Sequence, residues 1–133
     1  MARRKLLGSW INTCSPVVSE LMAGLGFDFL IVDVEHSAAD VPQVLQMVQG
    51  IRAGNPGCLP FVRTQGVEFS FVKRYLDAGA KGIIAPLVNT REQAEELIRA
   101  VRYPPLGDRG VGYCPANQYG KRVREVFENA NEE

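Results

Sequence analysis

Three short apolar runs punctuate this chain, FDFLIV at 27–32, LPFVR at 59–63 and GIIAP at 82–86, and a stretch of helical periodicity follows each of the first two and lies downstream of the third. A run that is apolar at successive positions suits a strand covered on both faces, as in a parallel sheet. A fourth run, Leu6 to Trp10, precedes them. Four strand-then-helix units call for right-handed crossovers between parallel strands, so the chain reads as α/β, either an open doubly wound sheet or part of a barrel. No GxGxxG follows the first strand, which weakens the nucleotide-binding, doubly wound form.

The intervening segments carry helix signals. Ser15-Pro16 opens a helix over 15–25 with Val17, Val18, Leu21, Met22 and Leu25 expected on one apolar face, and Gly24 and Gly26 supply its stop. Asp40 and Pro42 open a second, carrying Val41, Val44, Leu45, Val48 and Ile51 to a stop at Gly54. A third, over 67–78, buries Phe69, Val72 and Leu76, and Thr90 with Gln93 forms a capping box before a fourth with Ala94, Leu97, Ile98 and Val101. RYPPLGDRGVGYCPANQYG then reads as a long ordered loop, and a last helix is expected over 118–130.

Composition narrows the partners. Fifteen basic and fifteen acidic residues cancel, so no broad field is present to hold a nucleic acid backbone or an anionic membrane, and a small molecule is the better fit. Cys14, Cys58 and Cys114 are odd in number and widely spaced, which matches neither a disulfide framework nor a zinc site; they read as reduced thiols of a cytoplasmic protein. The start, MARRKLLGSW, lacks the long apolar region of a signal peptide, and FDFLIVDV is too short and too charged to span a bilayer.

In a parallel βα array the working face lies at the C-terminal ends of the strands. Those ends present Trp10, then Asp33-Val34-Glu35-His36, then Arg63, then Pro86. His36, the one histidine, titrates near neutral pH and suits a general base; the alternative is a surface or satisfied core histidine. Arg63 ends an apolar strand, where a guanidinium demands a partner: a ligand carboxylate, a keto oxygen or a structural acid. Asp33 and Glu35 are candidates to ligate a cation or to orient their neighbours. Asp77, in LDAGAKG, either serves the site or pairs with a nearby lysine at a helix end. Arg102 and Arg109, with Gly107, Gly110 and Gly112, form either an anion-binding loop or a plain turn. The charges of 91–99 read as a solvated helix face with i,i+4 pairs.

GSW, GFDFLIVDVEHS, the strand ending in VR, LDAGAKGIIAPLV, RYPPLGDRGVG, ANQYG and ANEE together resemble the HpcH/HpaI aldolase family, metal-dependent class II aldolases that use pyruvate, and the resemblance spans essentially the whole chain. It implies a (β/α)₈ TIM barrel, here the first four βα units plus a following helix, so that residues 1–133 form a single partial domain. It implies a homo-oligomer and cleavage of a 4-hydroxy-2-oxo acid, of the 2-dehydro-3-deoxyglucarate or 2,4-dihydroxyhept-2-enedioate type, to pyruvate and an aldehyde with Mg²⁺ or Mn²⁺. By the same resemblance His36 is the general base, acting through a metal-bound water, Asp77 its orienting partner, and Arg63 the residue that holds the keto oxygen and stabilises the enolate. The family's metal ligands, a Glu on the fifth strand and an Asp on the sixth, are expected beyond Glu133, and Glu132 and Glu133 do not replace them. Pro115 stands where many members carry Arg. Two other readings remain: a non-catalytic βα fragment lacking the metal ligands, and a citrate-lyase-like enzyme acting on a thioester. Half a barrel leaves two unpaired strand edges, so poor stability or self-association is expected.

Overall fold

The computed structural model describes residues 4–132, with the side chain of Phe69 outside the described set. The elements are β1 (Gly8–Ile11), α1 (Pro16–Gly24), β2 (Phe29–Asp33), α2 (Val41–Gly54), β3 (Leu59–Arg63), α3 (Phe69–Asp77), β4 (Gly82–Ile84), α4 (Arg91–Val101), a 3₁₀ turn at Pro115–Asn117 and α5 (Val123–Asn129). All strand pairs are parallel, in the spatial order β1-β2-β3-β4. That order never reverses, whereas a doubly wound sheet reverses at its switch point; the four units are therefore the opening of a barrel.

Register divides the sheet into two faces, because successive side chains alternate. Ile11, Leu30, Val32 and Val62 are buried in one cluster with Val44, Met47, Val48 and Ile51 of α2 and Tyr75 of α3. Each such side chain contributes roughly 1.5–3 kcal/mol through burial, and this cluster is the main source of stability. The other face is the inner face of the barrel wall. There the Phe29 and Phe61 rings lie 5.5 Å apart. A Cβ on Gly8 would stand 2.1 Å from the Phe29 ring, and one on Gly82 would stand 2.8 Å from the Phe61 ring, so glycines in the outer strands make room for both rings.

Three elements differ from the sequence expectation. In α1 the stripe Val17, Leu21 and Leu25 is 64%, 65% and 78% exposed, while Ser19 and Ala23 are buried. The reason is close packing: Gly50 and Gly54 of α2 sit against the α1 backbone, which only small residues permit, so the small face of α1 turns inward. The expected helix over 118–130 begins only at Val123, because Gln118, Tyr119 and Gly120 have φ of 53°, 56° and 98°, which no right-handed helix accepts. β4 ends at Ile84, short of Pro86. The capping expectations hold: Ser15, Asp40 and Thr90 each accept a hydrogen bond from a first-turn amide, and Asp40 and Thr90 form capping boxes with Gln43 and Gln93.

Candidate active site

The parallel register places Asp33 beside Arg63, at the C-terminal ends of β2 and β3. Arg63 donates from Nε to Asp33 Oδ1 at 2.9 Å and from Nη2 to Oδ2 at 2.6 Å. Glu35 Oε2 lies 3.3 Å from the same Nε, and the guanidinium carbon sits 4.5 Å from the centroid of the Trp10 ring. Asp33 is fully buried. It also accepts from Asn12 Nδ2 at 2.5 Å and from the amides of Glu35 and His36 at 3.1 and 3.3 Å. One carboxylate thus anchors the arginine, the end of β1 and the turn that carries Glu35 and His36. Ser37 tightens that turn by donating its hydroxyl to the Asp33 carbonyl.

The electrostatics follow from these contacts. The hydrogen-bonded Arg63 guanidinium holds the Asp33 carboxyl below its ordinary range, against burial, which acts in the opposite sense. Asp33 in turn raises Arg63, keeping it a fixed cation. Arg63 Nη1 has no partner among the described residues, so one edge of the fork remains for a ligand oxyanion. The His36 side chain is 67% exposed, with Nε2 3.6 Å from Glu35 Oε1. Imidazole and guanidinium therefore share one rim, linked through Asp33 and Glu35.

Of the residues singled out from the sequence, His36 and Arg63 each contact both Asp33 and Glu35, whereas Asp77 pairs elsewhere. Asp77 closes α3, which runs back to the N-terminal end of the sheet; there Arg52 Nη2 donates to Gly79 O at 2.9 Å and Lys81 N to Pro60 O at 2.7 Å. Its partner is Arg109 Nη2, at 3.2 Å, rather than His36 or a lysine. Arg109 also stacks 4.6 Å from the Tyr103 ring centroid. The glycine-rich loop is likewise structural in part: Gly107, Asp108 and Arg109 donate their amides to Tyr103, Arg99 and Arg102 carbonyls at the end of α4, which leaves these three amides no anion to hold. Asn12 is not legible as a strand-end residue because the apolar run ends at Trp10, whereas β1 runs to Ile11 and puts Asn12 in its first loop position.

The model of the HpcH/HpaI aldolase/citrate lyase family matches residues 6–132. The chain belongs to that family. It is 40% identical over 132 residues to a 4-hydroxy-2-oxo-heptane-1,7-dioate aldolase of Klebsiella pneumoniae, covering 98% of this chain and 49% of that protein. The crystal structure of an HpcH/HpaI aldolase/citrate lyase family protein from Burkholderia cenocepacia superposes with a TM-score of 0.89 at 35% identity, covering 96% of this chain and 51% of that one. A citrate synthase, SbnG, superposes with a TM-score of 0.81 at 30% identity, covering 96% and 48%. The chain spans about half the length of the relatives it matches.

HpcH/HpaI members are class II aldolases, which implies a divalent metal. The donors at this rim do not fit one by themselves. Both Asp33 oxygens are engaged by Arg63, and Glu35 is divided between Arg63 and His36. Among the described residues no group of three or more His, Cys, Asp or Glu side chains is arranged to hold a metal. A cavity of about 510 Å³ lies elsewhere, along the β4 edge between α4 and α5, lined by residues that include Lys81, Ile83, Leu97, Arg102 and Val126. It contains none of the rim residues. Cys14, Cys58 and Cys114 are free thiols, and among the described residues no helix is long and apolar enough to cross a membrane.

Proposed function

We propose that this chain carries the enolate-forming part of an aldolase-type carbon–carbon lyase, one that cleaves a 4-hydroxy-2-oxo acid to pyruvate and an aldehyde in the cytoplasm. The observation that supports it most is the joining of His36 and Arg63 on one rim with an unused guanidinium edge. In cleavage, His36 takes the C4 hydroxyl proton and the C3–C4 bonding pair becomes the enolate double bond. The C2 oxygen gathers charge facing Arg63, and a proton returned to C3 gives pyruvate. A positioned base contributes roughly 10²–10⁴-fold and a donor to the growing oxyanion roughly 10²–10³-fold. The donor set gives no ground for a metal step on these residues alone.

Trp10, the one tryptophan, reports on this site because its ring lies against Arg63. Its fluorescence is titrated with pyruvate and with oxalate, a planar mimic of the enolate. A saturable change that Arg63→Ala abolishes supports the reading, and titration of the variant like wild type contradicts it. The similarity to a citrate synthase favours one second reading, carbon–carbon bond formation using an acyl thioester. Dependence of turnover on a thioester distinguishes the two.

A further inference from the structure

Among the described residues β1 and β4 are the two edges of the sheet, and each carries a helix that is packed on one flank only. In α1, Ser19 and Ala23 are buried toward Gly50 and Gly54 of α2, and Met22 packs on the core cluster. At about 100° per residue, Val17, Leu21 and Leu25 fall on the flank opposite Ser19 and Ala23, and all three are exposed. In α4, Ala100 is buried with Val72 and Leu76 of α3. Ile98, exposed and about 160° round the helix from Ala100, marks the flank turned away from α3. The cavity of about 510 Å³ opens between these parts, reaching from Leu97 and Ile98 to Gly82 and Ile83 at the start of β4. On the inner face, Trp10 and Leu59 are 44% and 42% exposed.

We propose that a second copy of this chain fills both ends at once, β1 of each copy pairing in parallel with β4 of the other, so that eight strands close one barrel about a twofold axis. What each end lacks is what the other end presents. The β4 end lacks a parallel strand followed by a helix, and β1 with α1 is such a unit. In a barrel each helix covers the groove between its own strand and the next. Thus α4 covers its own β4 and the second copy's β1, and its Ile98 flank meets the Val17, Leu21 and Leu25 stripe. Leu6 and Leu7, which lead into β1, are 64% and 63% exposed. Parallel pairing sets them beside the start of the other copy's β4, where the cavity lies. The sheet has the curvature required, because it superposes on half of a family barrel. Eight strands is the size at which side chains just fill the interior, so the two inner faces, with Trp10, Phe29, Leu59 and Phe61, cover each other. Both joints are the same contact related by the twofold axis, so assembly stops at two copies. The closed mouth then carries two His36–Arg63 rims, one from each copy.

The pairing stands whether or not the rim enolises a keto acid, and its test uses no activity. Sedimentation velocity of the 133-residue chain is expected to give a species of twice 14.7 kDa that does not grow with concentration. Leu21→Lys and Ile98→Glu each set an unpaired charge into the apolar contact and are expected to weaken the dimer by at least about tenfold. Mixing the two variants restores a dimer, because one joint then holds the introduced lysine against the introduced glutamate and the other joint is unchanged. A chain that had lost its fold could not be rescued in this way. A monomer overturns the proposal, as does an assembly that keeps growing with concentration. So does a dimer that Ile98→Glu leaves intact, since the copies would then join through α1 alone, and so does a mixture that stays monomeric. Hydrogen exchange of wild type gives a test free of substitutions: backbone amides on the outer edges of β1 and β4 are expected to be protected together, and rapid exchange along either edge overturns the pairing.

Discussion

Replacing Gly50 by alanine sets two effects of opposite sign against each other. Gly50 lies in the interior of α2, where alanine is favoured over glycine by about 1 kcal/mol from helix propensity alone. The structure opposes this gain. A Cβ at Gly50 would stand 2.4 Å from the Pro16 carbonyl oxygen, 3.2 Å from its carbon and 3.4 Å from the Glu20 nitrogen, all backbone atoms of α1. No rotamer change relieves a backbone clash, so α1 must retreat by more than half an ångström, loosening Ser19 and Ala23 at the interface. Overpacking of this kind costs roughly 1–3 kcal/mol, so after the propensity gain Gly50→Ala is expected to lose about 0–2 kcal/mol. The assay is urea unfolding at fixed pH, comparing midpoints at constant slope. Gly24→Ala is the control, because its Cβ would meet only the Gly54 oxygen at 4.0 Å, and it is expected to be neutral or slightly stabilising. Stabilisation of Gly50→Ala by about the propensity value would refute the packing argument.

Other consequences are equally open to measurement. Asp33→Asn breaks a buried ion pair and is expected to cost about 3 kcal/mol at neutral pH. Because Arg63 lowers the folded-state pKa of Asp33 below its ordinary 3.8, its contribution is full above that value and lost as pH falls through the lower folded value; the stability gap between wild type and variant should therefore narrow in acid, and a constant gap contradicts the assignment. Mn²⁺ titration followed by water proton relaxation should show no tight saturable site on this chain, since the rim carboxylates are committed to Arg63 and His36; tight binding would show that these oxygens exchange partners. The exposed Val17, Leu21 and Leu25 stripe and the open β4 edge predict self-association in sedimentation velocity, and a monodisperse monomer with a sharp melt would count against it.

Much of the fold is legible in the sequence because its strands are continuous apolar runs and its helices carry explicit caps at Ser15, Asp40 and Thr90. The inward face of α1 is not, because hydrophobic periodicity points to Val17 and Leu21, whereas the contact is decided by glycines in a different helix, Gly50 and Gly54. At the site, His36 and Arg63 are readable as strand-end residues. That Asp33 takes Arg63 bidentately, and that Asn12 closes the network, depends on the register of β1, β2 and β3, which no local pattern encodes. Asp77 closes α3 and is paired with Arg109 across the chain, a contact that its own LDAGAKG segment does not encode.

The central claim, that the rim holding His36 and Arg63 forms the enolate of a keto acid, is tested most directly by incubating pyruvate with the chain in D₂O and following its methyl signal by NMR, with and without Mg²⁺ or Mn²⁺. Loss of the methyl proton signal at a rate above buffer, abolished in His36→Ala, is the predicted result. A folded wild-type chain that exchanges no faster than His36→Ala under any of these conditions would contradict the claim and leave a non-catalytic βα fragment of the aldolase family.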